Sequence, residues 1–389
     1  MKIRKPDYFD KFKCIASKCE DTCCAGWGIV IDDKSYKYYL SVEGKFGEEL
    51  RSKIIREDGE NIFQLKGNRC SFLNNDNLCD IYNNLGQEAL CHTCKQYPRF
   101  SEEFGSLREI GISLSCPEAA RIILGQTSKT EFKLSDYKEE VNNYNDINAM
   151  LYINLLQCRK IVLDLLQDRN LDIKIRAALS LVFINEIQEQ IDKNNINGIK
   201  SIKDKYLNKY LNKSLINKII NSFAVYERKE DKKYIYIKEL FKIFKDELEH
   251  ITYDPLSLEK GLQYFWQSKE DKEVYLKINT DFNNYYKEEN YQFEQILVYF
   301  TYKYFLKAVF DYDLIGKMKI SIVSTIMIKE LCAIRFFENK EFTFKDLVDI
   351  AHTYSKDIEH SEENVEKLQE LFETNKNFTI DKLLTVLLN

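Results

Sequence analysis

Proline and glycine are scarce in this chain, 4 and 13 among 389 residues, and a long sequence poor in both favours helices, whose interiors each residue weakens. Uninterrupted apolar runs are missing too. The most apolar stretch, QILVYFTYKYFLKAVF at 295–310, is broken by Lys303 and Lys307 before the roughly twenty residues that a membrane-spanning helix needs. The opening residues MKIRKPDYFDKFKC carry charges throughout and hold no apolar run of the kind an export signal uses. A soluble, cytoplasmic protein with no membrane partner is expected. Strong charge of one sign is absent as well: the net charge is -5. The lysines of NGIKSIKDKYLNKYLNKSLINK at 197–218 are diluted by asparagine, which reads as a solvated helix face and not as a nucleic-acid surface. Histidine is rare; His250, His352 and His360 show no ligand spacing, and no chemistry is assigned to them.

Cysteine is what the chain has in excess. KCIASKCEDTCCAGW, residues 13–27, places Cys14, Cys19, Cys23 and Cys24 close together and ends on one of 2 tryptophans. Nine of the 11 cysteines stand at or before Cys116, the others being Cys70, Cys79, Cys91 and Cys94. A chain of this length buries ordinary cores and needs no covalent staples, and a reducing cytoplasm keeps thiols free. Cys158 and Cys332 lie alone in apolar surroundings, where cysteine is usually a small hydrophobe.

The remainder reads as helices. Leu151, Leu155, Cys158, Val162 and Leu165 recur at steps of three and four, as do Ile175, Ala178, Leu179, Val182, Phe183 and Ile187. Similar stripes run around 236–248, 293–310, 320–337 and 364–372, and no solenoid repeat is evident. The aromatic crowd YFTYKYF at 299–305 has helical spacing and reads as core. A connection is expected near residue 125, in LGQTSKTEFKLSD. The expected fold is mainly α: a compact cysteine-rich metal-binding module over 1–125, followed by an irregular helical domain over 126–389.

Short cysteine spacings separated by loops bring thiolates from several segments together, and thiolate sulfur suits both tetrahedral zinc and iron–sulfur clusters. Adjacent Cys23 and Cys24 point in different directions, so one of the two faces a given centre. Gly26 and Gly28 let the chain bend around Trp27, whose indole shields a centre from water. Spacing alone leaves zinc and iron open.

FKCIASKCEDTCCAGWGIVID, NRCSFLNNDNLCDIY, TCKQYPR and SLSCPEAARIIL together resemble the flagellin lysine N-methylase family, whose cysteine-rich start is similar to the small zinc- or iron-chelating cysteine domains. Cys14, Cys19, Cys23, Cys24, Cys70, Cys79, Cys94 and Cys116 fall on the family's cysteine positions, with Trp27, Tyr97, Pro98, Arg99 and Pro117. Cys91 is an additional thiol. The resemblance is specific over 1–125 and general in character beyond. It implies transfer of methyl groups from S-adenosylmethionine to surface lysines of flagellin, and an iron–sulfur cluster, 4Fe–4S favoured over zinc, held by those eight cysteines. Two motifs are lacking: no G-x-G-x-G follows an early strand, and Cys19 and Cys23 begin a C-x3-C-x2-C triplet in which position 26 is glycine. Glu109, Glu118 and Tyr97 are acid–base groups within the module, but their plainer reading is as supporting side chains, and no catalytic base or donor site is assigned. The alternatives are an adaptor with structural zinc, or an iron–sulfur redox sensor, neither transferring methyl groups.

Overall fold

The computed structural model describes residues 1–57, 59–137, 147–208, 210–249 and 258–389. It is mainly helical, and its described helices include the expected stripes: Ala149–Leu166, Ile173–Asp192, Glu230–Glu247, Tyr291–Tyr304, Leu314–Asn339 and Glu362–Thr374. Leu314–Asn339 is buried on every face through most of its length, as its continuous apolar composition requires, and Asp313 caps it by accepting from Gly316 N–H at 2.8 Å. The 299–305 aromatics are buried there as core, apart from half-buried Lys303 between them. Within 197–218 the described residues include the helices Ile196–Tyr206 and Lys213–Ser222, which bury Ile199, Ile202 and Ile216 and turn most of their lysines outward; Lys209 lies outside the described residues. No helix among the described residues is long and apolar enough to cross a membrane. His250 lies outside the described residues.

A four-stranded sheet joins the cysteine-rich region to the helices. Lys2–Pro6 runs parallel to Leu107–Ile112 and antiparallel to Phe132–Asp136, and Arg99–Phe104 completes the sheet as a hairpin with Leu107–Ile112. The stretch expected to be a connection thus supplies an edge strand at 132–136, because Phe132 stacks on Tyr302 with ring centroids 4.5 Å apart. Tyr302 also donates from its hydroxyl to the carbonyls of Arg4 and Ile110, at 2.9 and 3.1 Å. Beside it, Glu109 accepts from Arg159 at 2.7 Å and from Arg4 at 2.9 Å in a nearly dry pocket.

Residues 1–125 are shared between two hydrophobic cores. Tyr8, Phe12, Phe104, Leu114, Cys116 and Ile123 belong to the large core of the helical body. Ile29, Ile31, Tyr39, Leu50, Phe63, Cys70, Phe72 and Cys91 form a small separate core. Around it fold the helices Asp33–Ser41 and Gly44–Ser52 and the hairpin of Ile54–Glu57 with Glu60–Phe63. Asp32 fixes its geometry twice, capping Asp33–Ser41 through Ser35 N–H at 3.0 Å and accepting from His92 N–H at 2.8 Å.

Candidate metal centre

Short backbone pairings carry the cysteines inward. Cys24 O accepts from Cys70 N–H at 2.7 Å, Ala25 bridges to Arg69, and Gly26, at φ +90°, donates to Asn68 O at 2.8 Å. A side chain is rarely tolerated at that φ, so the turn after Cys24 uses glycine's freedom. Cys79 and Cys91 immediately precede the short helices Asp80–Leu85 and His92–Gln96, and Cys116 precedes Pro117–Leu124, whose first residue is proline. All are free thiols.

The thiols fall into two neighbourhoods that touch at Cys23 and Cys24, each of which is the other's strongest partner. Cys14, Cys19, Cys23 and Cys116 interact among themselves. Cys24, Cys70, Cys79, Cys91 and Cys94 make the second set, and all of it lies in or against the small core. The division falls at one peptide bond, between Cys23 and Cys24, whose sulfurs are 3.9 Å apart. Cys91 joins the second set through Cys94; its signal in the sequence was the C-x2-C spacing. Cys158 and Cys332 are fully buried in the helical body.

Burial lifts the Cys70 and Cys116 thiols to about 12 and also raises Cys19 and Cys79. The hydrogen bond with Cys23 works the other way on Cys24, which falls to about 7, helped by Thr22 and the charges of Arg69 and Lys356. Its partner Cys23 rises correspondingly. Buried thiols that resist ionisation while crowded together are stabilised as thiolates by a cation, so metal binding would release protons and tighten these loops. Among the described residues no three His, Cys, Asp or Glu side chains converge closely enough to hold one metal ion. A single zinc, with Zn–S of about 2.3 Å, would require the thiols to close in.

A seam beside the first set joins it to the helix Phe344–Glu359. Asp21 accepts from Lys356 Nζ at 2.8 Å, and Glu20 pairs with Arg121, which also holds Glu118 at 2.8 Å. Trp27 donates to Cys23 O at 2.9 Å, and its ring lies 5.1 Å from His360 and 6.1 Å from Tyr97. From His360 a hydrogen-bonded chain runs inward. Ser115 Oγ lies 2.9 Å from His360 Nε2, 3.2 Å from Tyr97 Oη and 2.9 Å from Ser113 Oγ, to which it donates. Ser113 lies 3.3 Å from Tyr299 Oη, which donates to Glu359 at 2.8 Å.

The direction of that chain fixes a tautomer. Ser115 has one hydrogen and gives it to Ser113, so Nε2 of His360 carries the proton and donates. Nδ1 is then a lone-pair acceptor, buried and without a partner among the described residues. Burial, with Lys303 nearby, brings His360 down to about 4, so the ring is neutral at ordinary pH. At the far end burial opposes the charge on Glu359, but Lys303 at 2.7 Å outweighs it and holds the carboxyl below its usual range. Sequence reasoning missed His360, Ser113, Ser115 and Glu359, which come from segments far apart in the chain. Of the acid–base groups it named, Tyr97 is in the seam, whereas Glu109 and Glu118 are taken up by arginines.

A family model described as the FliB lysine N-methylase C-terminal domain matches residues 159–386, more than half of the chain. The chain belongs to this family. It is 32% identical over 136 residues to a Salmonella muenchen protein named flagellar biosynthetic protein FliU, covering 31% of this chain and 76% of that one. It is 31% identical over 136 residues to proteins named lysine-N-methylase in Salmonella typhimurium and Salmonella choleraesuis, again over 31% of this chain. The chain spans only about a third of the length of those two relatives, 32% of each. No solved structure matches. In this FliB-family chain the matched region begins at Arg159, whose guanidinium grips Glu109, and it contains Glu359 and His360. The clustered thiols precede it.

Proposed function

We propose that the protein is a protein-lysine N-methyltransferase acting on surface lysines of flagellin, with S-adenosylmethionine as methyl donor and a cysteine-held iron–sulfur cluster. The observation that carries this reading is the family match over 159–386. Flagellin as substrate is supported by the flagellar and lysine-methylase names of the relatives.

The donors suit such a cluster in chemistry, being free thiols only, while among the described residues no three of them converge, so the loops would have to close around it. Cys14, Cys19, Cys23 and Cys116, or Cys24, Cys70, Cys79 and Cys94 with Cys91 beside them, would hold it. When bound, an iron–sulfur cluster supplies electron transfer or a Lewis-acidic iron.

The chain's own residues address a different demand. A lysine amine, with an ordinary pKa of about 10.4, attacks a methyl carbon only after losing a proton. In the transfer the nitrogen lone pair forms the new N–C bond, the C–S bond of the sulfonium breaks, and a neutral thioether leaves. The chain from His360 to Glu359 leaves His360 Nδ1 as an open acceptor, which would hold an N–H of the neutral amine and so orient its lone pair, the ammonium proton having gone to solvent beforehand. Trp27 and Tyr97 cover the imidazole and keep it dry.

Flagellin co-expressed with and without this protein tests the proposal in cells. Peptide mass spectra should show methylated lysines only in its presence; identical spectra would count against it.

A further inference from the structure

Away from the cysteines, the helical body encloses a second place where chemistry is unfinished. A cavity of about 290 Å³ opens between the helices Ile173–Asp192, Tyr291–Tyr304 and Leu314–Asn339. Its wall combines apolar side chains such as Phe293, Leu297 and Ile326 with four lysines: Lys174, Lys233, Lys287 and Lys329. Two side-chain carboxylates reach it, and both are engaged; Asn389 lines it as well. Asp172 caps Ile173–Asp192 by accepting from Lys174 N–H at 2.9 Å. Glu330 accepts from Tyr275 Oη at 3.1 Å and lies 3.9 Å from Lys233 Nζ. Among the described residues, Lys174, Lys287 and Lys329 have no carboxylate within 4.0 Å, and Lys174 Nζ donates only to the carbonyl of Leu388, at 3.5 Å.

Lys329 is the most exacting of these. Its ammonium rests over the Phe293 ring, 5.7 Å from the centroid, a contact that only partly replaces water around a cation. Burial first, then the neighbouring charge of Lys233, brings it down to about 8 against the pull of Glu330 and Asp172. The cavity also faces the first turn of the 20-residue helix Ile173–Asp192, the end where backbone N–H groups favour negative charge.

We infer that this cavity binds a small organic anion, with its carboxylate or phosphate among Lys329, Lys287 and Lys174 and its apolar body against Phe293, Leu297 and Ile326. An anion supplies the counter-charge that the fold leaves out. The same excess of positive charge argues against S-adenosylmethionine here, since its sulfonium and ammonium would be repelled. The site is thus separate from the donor site of the proposed methyl transfer and holds whether or not that reading stands.

The test is calorimetric titration of the full, metal-replete protein at low salt with phenyl phosphate, 3-phenylpropionate and the neutral 3-phenylpropan-1-ol. At least one anion should bind at millimolar affinity or better, and about tenfold more tightly than the alcohol; which one separates phosphate from carboxylate ligands. Lys329→Met should weaken the anion about tenfold. The exposed Lys287→Ala, which leaves the core untouched, should weaken it severalfold. Equal binding of the alcohol, no heat with either anion up to about 10 mM, or unchanged affinity in both variants would overturn the assignment.

Discussion

Cys23 and Cys24 are joined by one peptide bond, with sulfurs 3.9 Å apart, and each is the other's strongest partner. Beyond that pair, Cys23 feels the charges of Cys14 and Cys116, while Cys24 acts on Cys70, Cys79 and Cys94. A tight dipeptide therefore stands between two groups of potential ligands, and substitutions on either side of it separate them.

Cys19→Ala and Cys94→Ala should each release metal and loosen the loops around them, because thiolate ligation and folding are coupled. Cys158→Ala and Cys332→Ala should leave metal content unchanged. Iron, zinc and acid-labile sulfide per chain, measured on protein purified without oxygen, check this. Equal loss from the second pair would mean that the division between thiol loops and helical body is wrong.

Ser115 is the point where His360, Tyr97 and Ser113 meet. Ser115→Ala removes the acceptor of His360 Nε2–H and so the contact that orients the imidazole. Methyl transfer should slow by about tenfold or more through lost positioning of the amine, while metal content stays at the wild-type level. Tyr97→Phe keeps the ring and should slow it much less. Single-turnover rates at matched metal loading decide the matter.

Glu109 and Arg159 side chains are each 3% exposed, so removing one charge strands the other. Glu109→Gln should cost about 3–5 kcal/mol in urea unfolding. Arg121→Ala, at a pair whose partners are each about a third exposed, should cost about 1 kcal/mol or less. Similar losses would mean that the sheet is not held to the helical body through Arg159.

Lys329 gives a pH dependence with a definite sign. Its folded value is about 8 and its unfolded value about 10.4. Between these the unfolded chain binds more protons, so wild-type stability gains from this residue as pH rises from about 8 to 10.4. Below pH 8 the cost of burying the cation is fully present. Lys329→Met lacks it, so the ligand-free variant should be the more stable at pH 7, by a margin that shrinks at pH 9 and above. Urea midpoints for both proteins across that range measure the margin; one that stays constant would show that the ammonium is not desolvated.

The helices were legible because their apolar residues repeat at three and four, as Leu151 to Leu165 do, and such periodicity needs only local sequence. The strand Phe132–Asp136 was not: it is short and mostly exposed, and only pairing with Lys2–Pro6 and stacking of Phe132 on Tyr302 give it a place. The thiol sets were half legible. Spacing identified the cysteines, but the expected divergence of Cys23 and Cys24 does not hold, since their sulfurs meet at 3.9 Å, and which other thiols neighbour each required the loops to be folded together. The seam was hidden altogether. His360 and Ser115 are 245 positions apart, and no spacing rule links a histidine at the end of one helix to a serine before another.

The central claim is methyl transfer to flagellin, and intact-mass analysis tests it most directly. Flagellin incubated with the anaerobically purified, metal-replete protein, reductant and S-adenosylmethionine should gain mass in steps of about 14 Da, one per methyl group replacing a hydrogen, and gain none when the donor is omitted. Unchanged mass in repeated assays, with the metal retained throughout, would contradict the account.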